Sequence, residues 1–323
     1  MVAVGRTSSE GGVRGAICAQ AEAALPVQWK DAEEPVTEAD RAVSELCIAR
    51  LGEQFPADVV LSEERPDDGA RLTAARYWLV DPIDGTKDFI AGRAGYSVMI
   101  GLVSNGQPVL GLVYQPAAER LWIAQQGLGA FEVIEHEPPR RIAVSDLAQM
   151  AAARLVSSAS TREELVRKVR DKAGIRDELQ VGSVGVKLCL IASGARDLYM
   201  NPAGRCKLWD TAAPSIILTE AGGRLTDLRG EPLSYTGANL SHRRGLVASN
   251  GAPDLVRSIL AGDESNRRLS SLRWGITLVA LALGFGIVEA AGWQDITPGV
   301  IAVLVGALGI GNLASFAASR KFG

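Results

Sequence analysis

The residues of this chain best suited to chemistry are acids placed beside glycine, proline and threonine. The sharpest stretch is Asp81-Pro82-Ile83-Asp84-Gly85-Thr86-Lys87, which follows the apolar run Tyr77-Trp78-Leu79-Val80. The run reads as a buried strand. Pro82 fixes its own φ and holds Asp81 extended, while Gly85 lets the backbone turn and come close to a bound group. Two carboxylates held at a strand end before a turn suit a hard metal ion and a phosphate. Read alone, the heptapeptide has an acidic Pro-Gly turn as its alternative reading. A second stretch, Lys207-Leu208-Trp209-Asp210-Thr211-Ala212-Ala213-Pro214, opens an alanine-rich helix, and Asp210 there could simply cap it. Two more acid positions precede these. Glu63-Glu64 ends the short run Val59–Ser62, and Asp40 lies three residues after Thr37, where a capping box is the alternative reading. Gathering such carboxylates is costly, at about 4 kcal/mol per like-charge pair ~4 Å apart at an effective dielectric of ~20. Bound Mg2+, which takes oxygen ligands, reverses that balance.

Composition narrows the partners. Net charge is −3, which gives no general affinity for nucleic acid. At 47% hydrophobic and 22% charged, the 323 residues support one large layered domain or two smaller ones. Cys18, Cys47, Cys189 and Cys206 form no C-x-x-C pair, so neither a zinc site nor a redox pair is indicated. His136 and His242 belong to no motif.

The elements that must position these acids follow in order. Residues 1–15 are polar and glycine-rich, without the apolar segment of a signal peptide, and read as a flexible leader. Helical spacing is present over 16–25 and again after Thr37 through Val43, Leu46, Cys47 and Leu51. The runs 96–103, 109–114, 121–124 and 130–134, separated by turn residues, predict an antiparallel meander. From Arg154 the pattern alternates strand and helix. The expected division is a leader at 1–15, an N-terminal α+β metal-site domain at 16–135, a C-terminal α/β domain at 136–262 and a linker at 263–271. Two uncharged apolar stretches follow within 272–319, broken by Glu289, each close to the ~20 residues that span a bilayer. Arg267, Arg268 and Arg273 before them and Arg320 and Lys321 after them predict a transmembrane hairpin with both ends in the cytoplasm. The expected localisation is therefore the cytoplasmic membrane, with the lipid bilayer as a partner. A buried helical hairpin in a soluble oligomer is the alternative.

The order of acidic motifs, Asp40, Glu63-Glu64, the Asp81–Thr86 stretch and Trp209–Pro214, resembles the lithium-sensitive, metal-dependent phosphomonoesterases that include inositol monophosphatase and fructose-1,6-bisphosphatase. The resemblance covers about residues 16–260. It is most similar to the 3′(2′),5′-bisphosphate nucleotidase branch, through Lys87 after Thr86, the Gly204–Thr211 segment and Gly222–Asp227. It implies an αβαβα sandwich and about two or three Mg2+ ions, with Li+ inhibitory. Glu63, Asp81, the Ile83 carbonyl, Asp84 and Asp210 would hold the metals. Asp40, Glu63 and Thr86 would activate water for in-line attack. Gly85, Thr86, Ser183, Lys187, Asp210 and Lys30 would meet the substrate, although Ser183 and Lys187 also read as a capped helix with one exposed lysine. The expected reaction is hydrolysis of 3′-phosphoadenosine 5′-phosphate to AMP and phosphate. The alternatives are an inositol or sugar-bisphosphate phosphatase, or a silent membrane-tethered nucleotide-binding protein. Oligomeric state stays open.

Overall fold

The computed structural model describes residues 27–29, 35–158 and 164–252. Lys30, the leader, the helix expected over 16–25 and the apolar stretches within 272–319 lie outside the described residues. Among the described residues, no helix is long and apolar enough to cross a membrane.

The first elements are β1 (Val27–Trp29), β2 (Pro35–Thr37), α1 (Glu38–Gln54), β3 (Val59–Ser62), β4 (Arg76–Asp84) and α2 (Thr86–Ile90). The expected meander follows as β5 (Ser97–Ser104), β6 (Gln107–Gln115), β7 (Arg120–Gln125) and β8 (Gly129–Ile134), and a further strand not expected from the sequence, β9 (Arg140–Ile142), extends it. These strands form one seven-stranded sheet in sequence order from β3 to β9, with only the β3–β4 pair parallel. The alternating part comprises β10 (Arg154–Ser157), α3 (Glu164–Ala173), β11 (Asp177–Gln180), α4 (Val184–Ala192), β12 (Leu198–Asn201), α5 (Leu208–Glu220), β13 (Arg224–Thr226) and β14 (Leu246–Ser249). It builds a five-stranded sheet in the order β11-β10-β12-β14-β13. The β10–β11 and β10–β12 pairs are parallel, as strands joined by helical crossovers must be, and β14 runs antiparallel to both its neighbours.

Side-chain alternation along β4 explains the layering. Val80, with Ile83, packs on Ala39, Val43 and Cys47 of α1. Tyr77 and Leu79 point the other way, onto Leu208, Trp209 and Ala212 of α5. Beyond α4 and α5 lies the second sheet, and Met99, Val113 and Trp122 share one core with Leu188, Ile217, Val156, Tyr199 and Leu246. The layers thus run α1, seven-stranded sheet, α4 with α5, five-stranded sheet. Cys47, Cys189 and Cys206 are buried within them and are not joined by a disulfide.

α5 rides unusually close to the first sheet. Gly101 and Gly111 are direct partners in the β5–β6 ladder. A Cβ at Gly101 would stand 2.8 Å from Ala213 N, and one at Gly111 would stand 2.3 Å from Ala213 O. The paired glycines make a notch that receives Ala212 and Ala213, and this seats the first turn of α5 against β4.

Candidate functional site

Two acids three residues apart on a regular strand would face opposite sides of the sheet. Here β4 pairs Asp81 with Met99 and Asp84 with Ser97, three steps against two, so one extra residue bulges between them. The bulge restores parity, so Asp84 faces the same side as Asp81, toward α4 and α5. Pro82, which has no N–H to give a ladder, sits within the bulge. Gly85 follows at φ +90, and a Cβ there would stand 2.9 Å from Gly95 O and 3.0 Å from Ser183 N. Only glycine makes this corner, after which α2 starts at Thr86.

The remaining expected residues arrive from helix starts. Asp40 lies in the first turn of α1. Its Oδ2 accepts from Thr37 N at 2.8 Å and Thr37 Oγ1 at 2.6 Å, a capping box. Its Oδ1 faces Thr86 Oγ1 at 3.5 Å. Asp40 therefore caps the helix and also stands behind Thr86, so the two readings of this residue are compatible. Thr86 Oγ1 also donates to the Ile83 carbonyl at 3.0 Å. Asp210 sits in the first turn of α5, where its Oδ2 accepts from Lys207 N at 2.9 Å. Asp84 Oδ2 accepts from Ser183 Oγ at 2.6 Å and from Gly185 N at 2.8 Å, at the start of α4. Four helices begin at this corner, and the partial positive charge of their first turns favours anionic groups there. Glu63 joins from the end of β3, held by its N–H to Val80 O at 3.1 Å.

The electrostatics tie the acids together. Burial pushes the Asp81 carboxyl well above its usual range, and Glu63, Asp84, Asp210 and Asp40 push it the same way. Asp210 is raised by burial and then by Asp84 and Glu63, against the pull of Lys207. Burial raises Asp84 too, opposed by Lys187 and by hydrogen bonds from Ser183, Gly185 and Val184. Among the described residues, no group of three or more His, Cys, Asp or Glu side chains lies close enough together to hold a metal ion as they stand. The donor set nevertheless fits a hard divalent cation. It consists of carboxylate oxygens and one carbonyl, and Asp81 Oδ1 is buried with no hydrogen-bond partner.

Of the two residues read either as substrate contacts or as a capped helix with an exposed lysine, Ser183 caps its helix and Lys187 is buried. Ser183 is fully buried, caps α4 through Val186 N at 2.9 Å and gives its proton to Asp84. Lys187, expected as an exposed lysine or a nucleotide contact, is 0% exposed. Its Nζ donates to Gly182 O at 2.7 Å and to Val181 O and Ser158 Oγ, each at 3.1 Å. Burial lowers it to about 8, although Asp84 pulls the other way.

Sequence reasoning missed three neighbours. Asp88 is buried under the corner, bonded to Gly182 N at 2.9 Å and to Arg93. Its only signal is its place two residues after Thr86. His242 is 9% exposed, and its Nε2 stands 2.8 Å from Thr211 Oγ1. Burial lowers it to about 4, so it acts as a neutral structural ring behind α5. Lys207, the residue that holds Asp210, carries no signal beyond its place in the Gly204–Thr211 segment.

Comparison with known proteins agrees with this geometry. The chain matches the inositol monophosphatase family over residues 13–261. It is 36% identical over 237 residues to a histidinol-phosphatase of Mycobacterium tuberculosis, covering 70% of this chain and 84% of that one. It is also 36% identical over 214 residues to a 3′(2′),5′-bisphosphate nucleotidase CysQ of Aggregatibacter actinomycetemcomitans, covering 65% and 78%. An IMPase structure from Thermotoga maritima superposes with a TM-score of 0.65 at 26% identity, covering 77% of this chain and 92% of that one. The mixed-sheet α/β layering and the matched span both lead to one assignment: this chain belongs to the inositol monophosphatase family of phosphatases.

Proposed function

We propose that this chain is a Mg2+-dependent phosphomonoesterase that hydrolyses 3′-phosphoadenosine 5′-phosphate to AMP and inorganic phosphate. The observation that carries the metal-dependent part is Asp81. A fully buried carboxylate with one oxygen unpartnered, surrounded by Glu63, Asp84 and Asp210, is a costly arrangement that a cation relieves. Asp81 would hold two ions. Glu63 and the Ile83 carbonyl would complete the first, and Asp84 and Asp210 the second. When bound, Mg2+ lowers the pKa of water and neutralises charge on the phosphoryl group.

The side chains do the rest. Thr86 Oγ1 orients the attacking water, and Asp40 Oδ1 behind it receives the proton. Capping by Thr37 holds Asp40 in place for that role. The first turn of α2 presents the Gly85 and Thr86 N–H groups to the phosphate. As the water oxygen bonds to phosphorus, the P–O bond to the sugar would break in line, and the leaving oxygen would take a proton from solvent water.

The substrate assignment is supported by Lys87 after Thr86, by the segment before Trp209, and by relatives named as bisphosphate nucleotidases. A second reading, histidinol phosphate, has support of its own, because the relative named for that activity is equally identical over a longer span. Phosphate release with Mg2+ from 3′-phosphoadenosine 5′-phosphate, histidinol phosphate, inositol 1-phosphate and fructose 1,6-bisphosphate separates the readings. The nucleotide should be turned over with the highest kcat/KM. Preference for any of the others replaces the substrate assignment, and binding without turnover of all four indicates a silent binding protein. We further propose that the stretch within 272–319 anchors the protein to the cytoplasmic face of the membrane. Full-length protein recovered without detergent in a soluble fraction would refute this.

A further inference from the structure

The Gly182 peptide lies between two buried charges that the mechanism above does not use. On one side, Asp88 of α2 accepts Gly182 N–H through Oδ2 at 2.9 Å. Its Oδ1 takes both Arg93 Nε, at 2.9 Å, and Arg93 Nη2, at 2.5 Å. On the other side, Lys187 of α4 donates to Gly182 O at 2.7 Å, Val181 O at 3.1 Å and Ser158 Oγ at 3.1 Å. An ammonium group has three protons, and these three acceptors use them all, leaving none for a substrate. The packing closes around glycine. A Cβ at Gly95 would stand 2.0 Å from Asp88 Oδ2, and one at Gly182 would stand 2.7 Å from it. The next N–H along, that of Ser183, donates to Gly95 O at 2.7 Å. Ser183 Oγ and Gly185 N then aim the Asp84 carboxylate. Movement of the Gly182 peptide therefore moves the donors that orient Asp84.

We propose that Asp88 and Lys187 are positioning residues. They clamp the backbone of Gly182 from both ends, the Asp88 carboxylate on its N–H and the Lys187 ammonium on its C=O, and so fix how Asp84 is presented to a metal. This rests on the reading of Asp84 as a metal ligand. Groups that orient a ligand in this way ordinarily change metal affinity by about 10–100-fold when removed.

The test is Mn2+ binding by isothermal titration, without substrate, to the full chain and to Lys187→Met, Asp88→Asn and the double variant. KM at saturating Mg2+ is measured alongside, with whichever phosphomonoester the wild type hydrolyses. Each single variant should weaken Mn2+ binding about tenfold, while KM moves by less than about twofold. The double variant should lose little more than either single one, because the backbone of one residue, Gly182, transmits both effects. Unchanged Mn2+ binding overturns the proposal, as does additivity of the two losses. A raised KM in Lys187→Met with metal binding intact overturns it too, because that is the behaviour of a substrate contact. If circular dichroism shows Lys187→Met unfolded, Asp88→Asn, equal in shape and neutral, decides by the same titration. A wild type that binds Mn2+ but hydrolyses no substrate fails the functional reading while leaving this test in force. A wild type that binds no Mn2+ refutes both.

Discussion

Two groups of buried acids in this molecule are treated in opposite ways. Glu132 and Asp197, 1% and 0% exposed, are saturated by the protein's own cations. Glu132 lies between Arg120 and Arg140. Asp197 accepts from Arg154 Nε, Nη2 and N, each at 2.8 Å, and from Ser145 Oγ. Burial alone would raise the Asp197 carboxyl, but these hydrogen bonds outweigh it and bring it below its usual value. In the acid cluster the balance is reversed. Asp81 and Asp210 are pushed up by burial and by one another's neighbours, and Asp81 Oδ1 has no partner. The fold can surround a buried carboxylate with arginine when the role is structural. At the corner of β4 it supplies further acids instead, a charge that a bound cation would offset.

Substitutions should separate the two groups sharply. The largest effect is expected for Asp81→Asn, which should cut Mg2+-dependent phosphate release about a thousandfold while leaving the fold intact. Near-normal turnover with the same Mg2+ dependence would break the contrast. Asp197→Asn should do the converse. Disrupting a buried, arginine-bonded carboxylate costs about 3–5 kcal/mol, read by urea unfolding, while turnover per folded molecule stays near wild type.

A smaller effect is expected in the pH dependence of stability without divalent metal. Asp81 and Asp210 have folded-state values above the ordinary 3.8, so their contribution favours the fold at low pH and is lost as pH rises through the raised values. Asp197 has a depressed value, so its contribution is present above 3.8 and is lost as pH falls through its folded value. The metal-free melting temperature should therefore peak in mild acid and decline toward neutral pH. In Asp81→Asn the neutral-side decline should be shallower. An unchanged decline in that variant would show that the cluster does not set it.

The site was more legible in the sequence than the way it is held. Asp81, Asp84, Gly85 and Thr86 stand out through spacing and turn chemistry, whereas Asp210 read alone is a helix cap and joins them only through the order of motifs; the structure brings all five to one corner. Their common facing depends on the bulge at Pro82 and Ile83, which shows only when β4 and β5 are in register. The β5–β8 meander was legible because apolar runs alternate with turn residues. β11, with the polar sequence Asp177-Glu178-Leu179-Gln180 at the edge of its sheet, has no apolar alternation to reveal it. Lys187 shows the limit most clearly. A lysine on an apolar helix reads as exposed or as a ligand contact. Its burial depends on the Val181 and Gly182 carbonyls and on Ser158, and only the fold brings Ser158 to the ammonium group.

The most direct test of the acid cluster as a metal site is the shift in melting temperature at neutral pH on adding Mg2+, measured for wild type and Asp81→Asn side by side. A ligand that binds only the folded state at 100 times its Kd stabilises by about 2.7 kcal/mol, or several degrees for a domain of this size. The wild type should rise by that amount and the variant should not. No rise in the wild type, or an equal rise in both, would contradict the assignment of Asp81 to the metals.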